Sequence, residues 1–131
     1  MRSSALLNAK SIGYTKNTPS AAYLARLLDR LGIAEQMKPK SRLHEGTGAT
    51  EQAVAAGDAE LGFMTISSLL HFPGAELLGP LPPELQNYVV YTGAVGTSAQ
   101  EPEAAKALIN FLTSKSAVPV IKAKGMEPTT Q

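Results

Sequence analysis

Three times in its N-terminal half, the chain passes from a short apolar segment, through small polar residues, into a segment of helical character. Ile12-Gly13-Tyr14 leads through Thr15 to Ser20 into a helix from Ala21. Arg42-Leu43 leads through Glu45-Gly46-Thr47-Gly48 into a helix from Ala49. Leu61-Gly62-Phe63-Met64 leads through Thr65-Ile66-Ser67 into a helix from Ser68. Strands alternating with helices predict an α/β fold with a parallel sheet. Parallel strands bring all three helix starts to one sheet edge, where open α/β sheets bind ligands. A helix start offers unpaired N–H groups and partial positive charge. The residues at these junctions are hydroxyls and glycines, so they favour holding an anion over transforming it.

The totals narrow the class. At 131 residues the chain fits one domain with a real core, and 44% hydrophobic content argues against disorder. Net charge is +1 with both signs scattered, which does not favour nucleic acid. Lys115, Lys122 and Lys124 read as a solvated helix face. Cysteine is absent, which removes disulfides and thiolate chemistry. No apolar run reaches the length of a membrane span, and Met1 to Asn8 do not form a complete signal peptide.

Thr18-Pro19 is a strong helix start, followed by Tyr23, Leu24, Leu27, Leu28 and Leu31 at helical spacing and closed by Gly32. A loop through Pro39 leads to a strand near Ser41 to Leu43. The second helix runs to Ala56 before Gly57, with a weak apolar face of Ala49, Ala53 and Val54. Leu61 to Met64 reads as a central parallel strand. Glu76-Leu77-Leu78 reads as a brief fourth strand, and Tyr88 to Val95 as the longest β-like run. Two C-terminal helices are expected. One opens at Glu101-Pro102-Glu103 and carries the stripe Ala105, Leu108, Ile109 and Leu112; the other runs from about Ser116 to Gly125.

These elements resemble the type II periplasmic solute-binding proteins of ABC transporters, in particular the molybdate-binding-protein-like group. The likeness is carried by Thr18-Pro19-Ser20-Ala21 with Leu31-Gly32, by Ala55 to Phe63, and by Gly79 to Leu85. Pro102 to Leu108 with Phe111-Leu112, and Lys122 to Pro128, complete it. It implies a three-layer α/β/α lobe with a mainly parallel sheet, plus C-terminal helices. It further implies that the chain corresponds to the later half of such a protein. Residues 1–87 are then the second lobe, 88–95 a return or hinge strand, and 96–131 helices that complete a first lobe. On this expectation the chain is truncated relative to the family, whose N-terminal segment has no counterpart in it.

The resemblance carries ligand contacts onto three places. The first is the helix-start amide region of Thr18, Ser20 and Ala21; the second is Thr47 with Gly48; the third is Thr65 with Ser67. Molybdate binders have a tyrosine where Thr65 stands, so a small oxyanion or similar polar solute is implied, not molybdate in particular. The same residues have plainer readings. Thr18, Pro19 and Ser20 read as a helix cap, which is compatible with later amides serving an anion. Gly46-Thr47-Gly48-Ala49-Thr50-Glu51 lacks the third glycine of a dinucleotide fingerprint and reads as a capped turn. His44 and His71 are isolated and read as surface or edge residues. Tyr14 reads either as a core tyrosine or as facing the ligand edge, and Lys16 either as an anion attractor or as a loop lysine.

The expected function is a partial solute-binding component of an ABC importer, periplasmic by resemblance, with an ABC permease as partner. Neither catalytic residues nor a metal or other cofactor is expected, because nothing pairs a nucleophile with a base. The alternative is the effector-sensing domain of a transcription regulator, a class that shares this architecture; no basic helix supports it. A homodimer through the C-terminal helices is expected, because their apolar stripe otherwise stands bare.

Overall fold

In the computed structural model, residues 3–128 are described. They fall into two compact units, divided after Val89. In the first unit, α1 (Ser3–Asn8) precedes β1 (Ile12–Thr15), α2 (Pro19–Arg30) and α3 (Ala34–Met37). A 3-10 turn (Lys38–Lys40), β2 (Ser41–His44), α4 (Ala49–Ala56), β3 (Leu61–Gly62) and α5 (Ile66–Leu69) follow. The sheet is parallel with order β2-β1-β3. Ile12 aligns with Ser41 and Leu61, and Gly13 with Arg42 and Gly62.

Alternation along β1 assigns the layers. Successive strand side chains point to opposite faces. Ile12 and Tyr14 face a core of Leu6, Leu24, Leu28, Ile33 and Met37, supplied by α1, α2 and α3. Gly13 and Thr15 face the other way, toward α4. A Cβ on Gly13 would lie 3.1 Å from His44 Nε2, 3.2 Å from Ala59 Cβ and 3.3 Å from Thr50 Cγ2. The missing side chain therefore lets α4 close onto the sheet. Thr15 and Thr50 hydroxyls meet at 2.8 Å on that side, and Thr50 is fully buried. The lobe is thus the expected α/β/α sandwich. α4 turns Thr50, Glu51 and Ala53 inward: Ala53 belongs to the expected apolar face, whereas Ala49 is only half-buried and Thr50 answers Gly13 and Thr15 across the interface.

Local sequence explains the helix ends. Thr18 caps α2 and Pro19 stands in its first turn. Gly32 (φ 68°) terminates it, with its N–H on Asp29 O at 3.0 Å and the Ile33 N–H on Leu28 O at 3.0 Å. Glycines in left-handed conformation bound α4 at both ends, Gly48 (φ 76°) and Gly57 (φ 82°). The segment before β2, expected as a loop, folds into α3 and the 3-10 turn because Met37 inserts into the core with no exposed surface.

Three strand expectations are corrected. β3 stops at Gly62, although the Phe63 N–H still reaches Gly13 O at 2.9 Å. Glu76 to Leu78 forms no strand among the described residues, and Leu78 is 80% exposed. Tyr88 to Val95 likewise forms none, with Tyr88, Val90 and Tyr91 exposed. β propensity measures fit to a pleated, half-buried surface, so it yields no strand where no ladder partner is available.

In the second unit, α6 (Pro102–Leu112) and α7 (Val118–Ala123) are joined by a turn in which Ala117 is buried. α7 is shorter than expected at both ends, since Lys115 and Ser116 belong to that turn and Gly125 (φ 74°) follows the helix. Gly93 sits against Ile109, 3.4 Å from Cγ1 to the position of a Cβ. Leu108, Phe111, Leu112 and Val120 are exposed.

Removing Leu24, which is 1% exposed, by Leu24→Ala is expected to cost about 2–5 kcal/mol in urea unfolding. Gly13→Val is expected to cost about 1–3 kcal/mol through overpacking against Ala59 and Thr50. Thr18→Ala is expected to cost about 1 kcal/mol by removing the cap of α2, with the urea slope unchanged.

Candidate functional site

The parallel register places the ends of β1, β2 and β3 on one edge of the sheet, so the starts of α2, α4 and α5 gather there. Contacts between the junctions bear this out. The Lys16 N–H donates to His44 O at 2.9 Å, joining the ends of β1 and β2. The Tyr23 ring of α2 stacks on Phe63 just beyond β3, with centroids 6.5 Å apart and an interplanar angle of 24°. Met64 and Val54 enclose Gly62. In a sheet of order 2-1-3 the connection after β1 leads to β2, and the connection after β2 crosses to β3 on the far side of β1. The loops leaving β1 and β3 at this edge are Thr15 to Ser20 and Phe63 to Ser67.

The sequence-derived site residues occupy this rim in different ways. Thr18 Oγ1 donates to Thr15 O at 2.8 Å and accepts from the Ala21 N–H at 3.1 Å. Both Thr18 and the Ala21 amide are therefore engaged in the cap. The Ser20 N–H, in the same first turn, donates to no other group among the described residues. At α4 the pattern is reversed. Gly48 caps without a side chain, the Ala49 N–H reaches Gly46 O only at 3.4 Å, and the Thr50 and Glu51 amides lack an acceptor among the described residues. Thr47 is exposed on the turn, and Gly48 lies beside Phe72. At α5 the hydroxyls bond to one another. Ser67 Oγ donates to Thr65 Oγ1 at 3.3 Å, Thr65 Oγ1 to Ser68 Oγ at 3.3 Å, and Ser68 Oγ to Thr65 O at 2.9 Å.

Charged side chains at the rim include Glu51, buried in the first turn of α4, and an ion pair between Lys16 and Glu45. Lys16 Nζ and Glu45 Oε1 lie 2.7 Å apart. The hydrogen bond from Lys16, and then its charge, hold the Glu45 carboxyl below the usual glutamate range. A depressed carboxyl pKa means the pair is complete at neutral pH and is lost as pH falls through the folded-state value. Tyr14 resolves as a core residue, packed on the Leu24 cluster. His44 is an edge residue, the last of the edge strand β2; it is half-buried, and its Nε2 has no hydrogen-bond partner among the described residues. Sequence reading missed the Thr15–Thr50 hydroxyl pair; the signal that pointed to it was Gly13, whose absent side chain admits a neighbour.

The rim offers N–H and O–H donors in number. Among the described residues, no group of three His, Cys, Asp or Glu side chains could hold a metal ion. No helix of the described residues is long and apolar enough to cross a membrane.

Residues 4–127 match the family model described as bacterial extracellular solute-binding protein. The chain is 36% identical over 126 residues to an aconitate isomerase from a Pseudomonas species, which covers 94% of this chain and 47% of that protein. It is 33% identical over 121 residues to the molybdate-binding protein ModA of Azotobacter vinelandii, covering 88% of this chain and 46% of that one. To ModA of Rhodobacter capsulatus it is 24% identical over 115 residues, 88% of this chain and 45% of that one. The chain spans about half the length of the curated relatives it matches. No solved structure matches it. With its doubly wound parallel sheet and donor-lined rim, the chain belongs to the bacterial extracellular solute-binding protein family.

Proposed function

We propose that this chain supplies one wall of the ligand cleft of a solute-binding component of an ABC importer, and that its rim takes a small oxyanion or carboxylate without transforming it. The observation that carries the reading is the β2-β1-β3 order, which gathers the helix starts at one sheet edge, where the Ser20, Thr50 and Glu51 amides have no acceptor among the described residues. The names of two relatives support the ligand class, since molybdate and aconitate are both small anions whose oxygens accept from N–H and O–H donors. The proposed contacts are the Ser20 amide with Thr18 and Ala21 around it, Thr47 and Gly48 at the α4 start, and the Thr65 and Ser67 hydroxyls. In this reading residues 1–87 are the second lobe, 88–95 the hinge segment and 96–131 the C-terminal helices of a family member. The protein acts outside the cytoplasmic membrane beside an ABC permease.

A second reading has a specific observation behind it: the 36% identity to an aconitate isomerase favours chemistry on aconitate. Against it stands the composition of the rim, where the hydroxyls bond to one another and to backbone groups. Incubating the protein with either aconitate isomer and following the proton spectrum separates the two. No interconversion above the protein-free control is expected, and turnover overturns the non-enzymatic reading.

Binding by this chain alone is expected to be weak, about millimolar, because one wall makes part of the contacts while the entropy cost of association is undiminished. Amide-resolved NMR titration with molybdate, sulfate and trans-aconitate should give saturable shifts at Ser20, Thr50 and Glu51. Absence of saturation with all three overturns the anion reading, and sub-micromolar affinity in a verified monomer overturns the one-wall reading.

We further propose that a second copy covers the exposed Leu108, Phe111 and Leu112 of α6, an isologous contact in which one patch meets itself. Light scattering across a concentration series is expected to show growth from monomer to dimer; a constant monomer mass overturns this.

A further inference from the structure

Two oppositely charged side chains meet across the rim. Lys16 leaves the end of β1 and Glu45 follows the end of β2, and their 2.7 Å contact joins the two junctions above the sheet. The lysine backbone is held firmly, by its N–H on His44 O at 2.9 Å and by the left-handed turn at Asn17 (φ 58°) that follows. The side chains are not held so. They are 43% and 75% exposed, and exposed pairs of this kind contribute little to fold stability. An ammonium has three donors, and Glu45 is its one ion-pair partner among the described residues. Lys16 also stands four residues before Ser20, on the loop between β1 and α2. Its four-carbon stem suits a swing across one strand spacing of about 4.8 Å, from the β2 side of β1 to the β3 side.

A carboxylate and a small oxyanion are the same kind of partner for an ammonium. We infer that Glu45 is an internal stand-in for the ligand: it holds Lys16 while the rim is empty and surrenders it to an arriving anion. Lys16 then favours multiply charged solutes, and Glu45 sets how strongly an anion must compete before it is held. The inference rests on the anion reading of the rim and adds to it two residues that neither capping nor core packing explains. It also assigns Glu45 a role of opposite sign to the other rim groups, since its removal improves binding.

The test is a double-mutant cycle at low ionic strength, with molybdate and trans-aconitate as separate probes and amide shifts as the readout. Thermal melts of each variant serve as the check on folding, and little change is expected for exposed side chains. Glu45→Gln is expected to tighten binding roughly threefold or more, and Lys16→Gln to weaken it by a similar factor. The gain from Glu45→Gln should shrink in the Lys16→Gln background, because there is no lysine left to release. An equal gain in both backgrounds reduces Glu45 to a repelling charge and overturns the exchange. Unchanged or weaker binding in Glu45→Gln overturns it as well. If wild type saturates while these variants behave identically to it, the exchange fails and the anion reading stands. If none of the four proteins saturates with either probe, the anion reading itself fails and takes the exchange with it.

Discussion

The two unlike faces of β1 govern the rest of the structure. One face carries Ile12 and Tyr14 into the apolar layer of α1, α2 and α3, where side chains such as Leu24 and Met37 lose nearly all contact with water. Each fully buried side chain of that size contributes ~1.5–3 kcal/mol. The other face has no bulk at Gly13 and a hydroxyl at Thr15, and α4 meets it through Thr50. A strand apolar on both sides would sit in a thicker sandwich with α4 further out. Because the α4 layer lies close, the loop that starts α4 comes level with the loop that starts α2, and the rim becomes continuous from β1 to β2.

The rim in turn shows a division between its coils. α2 caps part of its own start: a threonine hydroxyl takes one first-turn amide and gives its proton to the strand end, and the Ser20 amide is left without an acceptor among the described residues. α4 begins on a glycine whose left-handed backbone turns the chain without offering a side-chain acceptor. The first is largely satisfied by its own cap, whereas the Thr50 and Glu51 amides of the second lack an acceptor among the described residues.

Legibility in the sequence followed locality. The start and stop of α2 were readable because Thr18, Pro19 and Gly32 act within one turn of themselves. The convergence of three junctions was readable because parallel topology follows from the alternation of elements, whatever the register. What depends on partners distant in sequence was not. Tyr88 to Val95 has strong β character and yet no ladder, and Met37 draws an apparent loop into helical turns. The role of Thr50 was hidden as well, because its reason lies in Gly13, on a strand that precedes it by a full crossover. His44 looked solitary in sequence and in fact tucks against that same glycine.

The stretch after α5 runs without helix or strand until a 3-10 turn at Pro83–Leu85. It is pinned at two places: Gly74 lies against Ala55 of α4, and the Tyr23 hydroxyl donates to Leu85 O. Between these pins half-buried Ala75, Leu77, Leu81 and Pro82 alternate with exposed residues. The closure entropy of such a span grows only logarithmically, about 0.6 kcal/mol for each doubling of length. A change of length that keeps both clasps and those half-buried contacts therefore costs little chain entropy and leaves the strands and their rim in place.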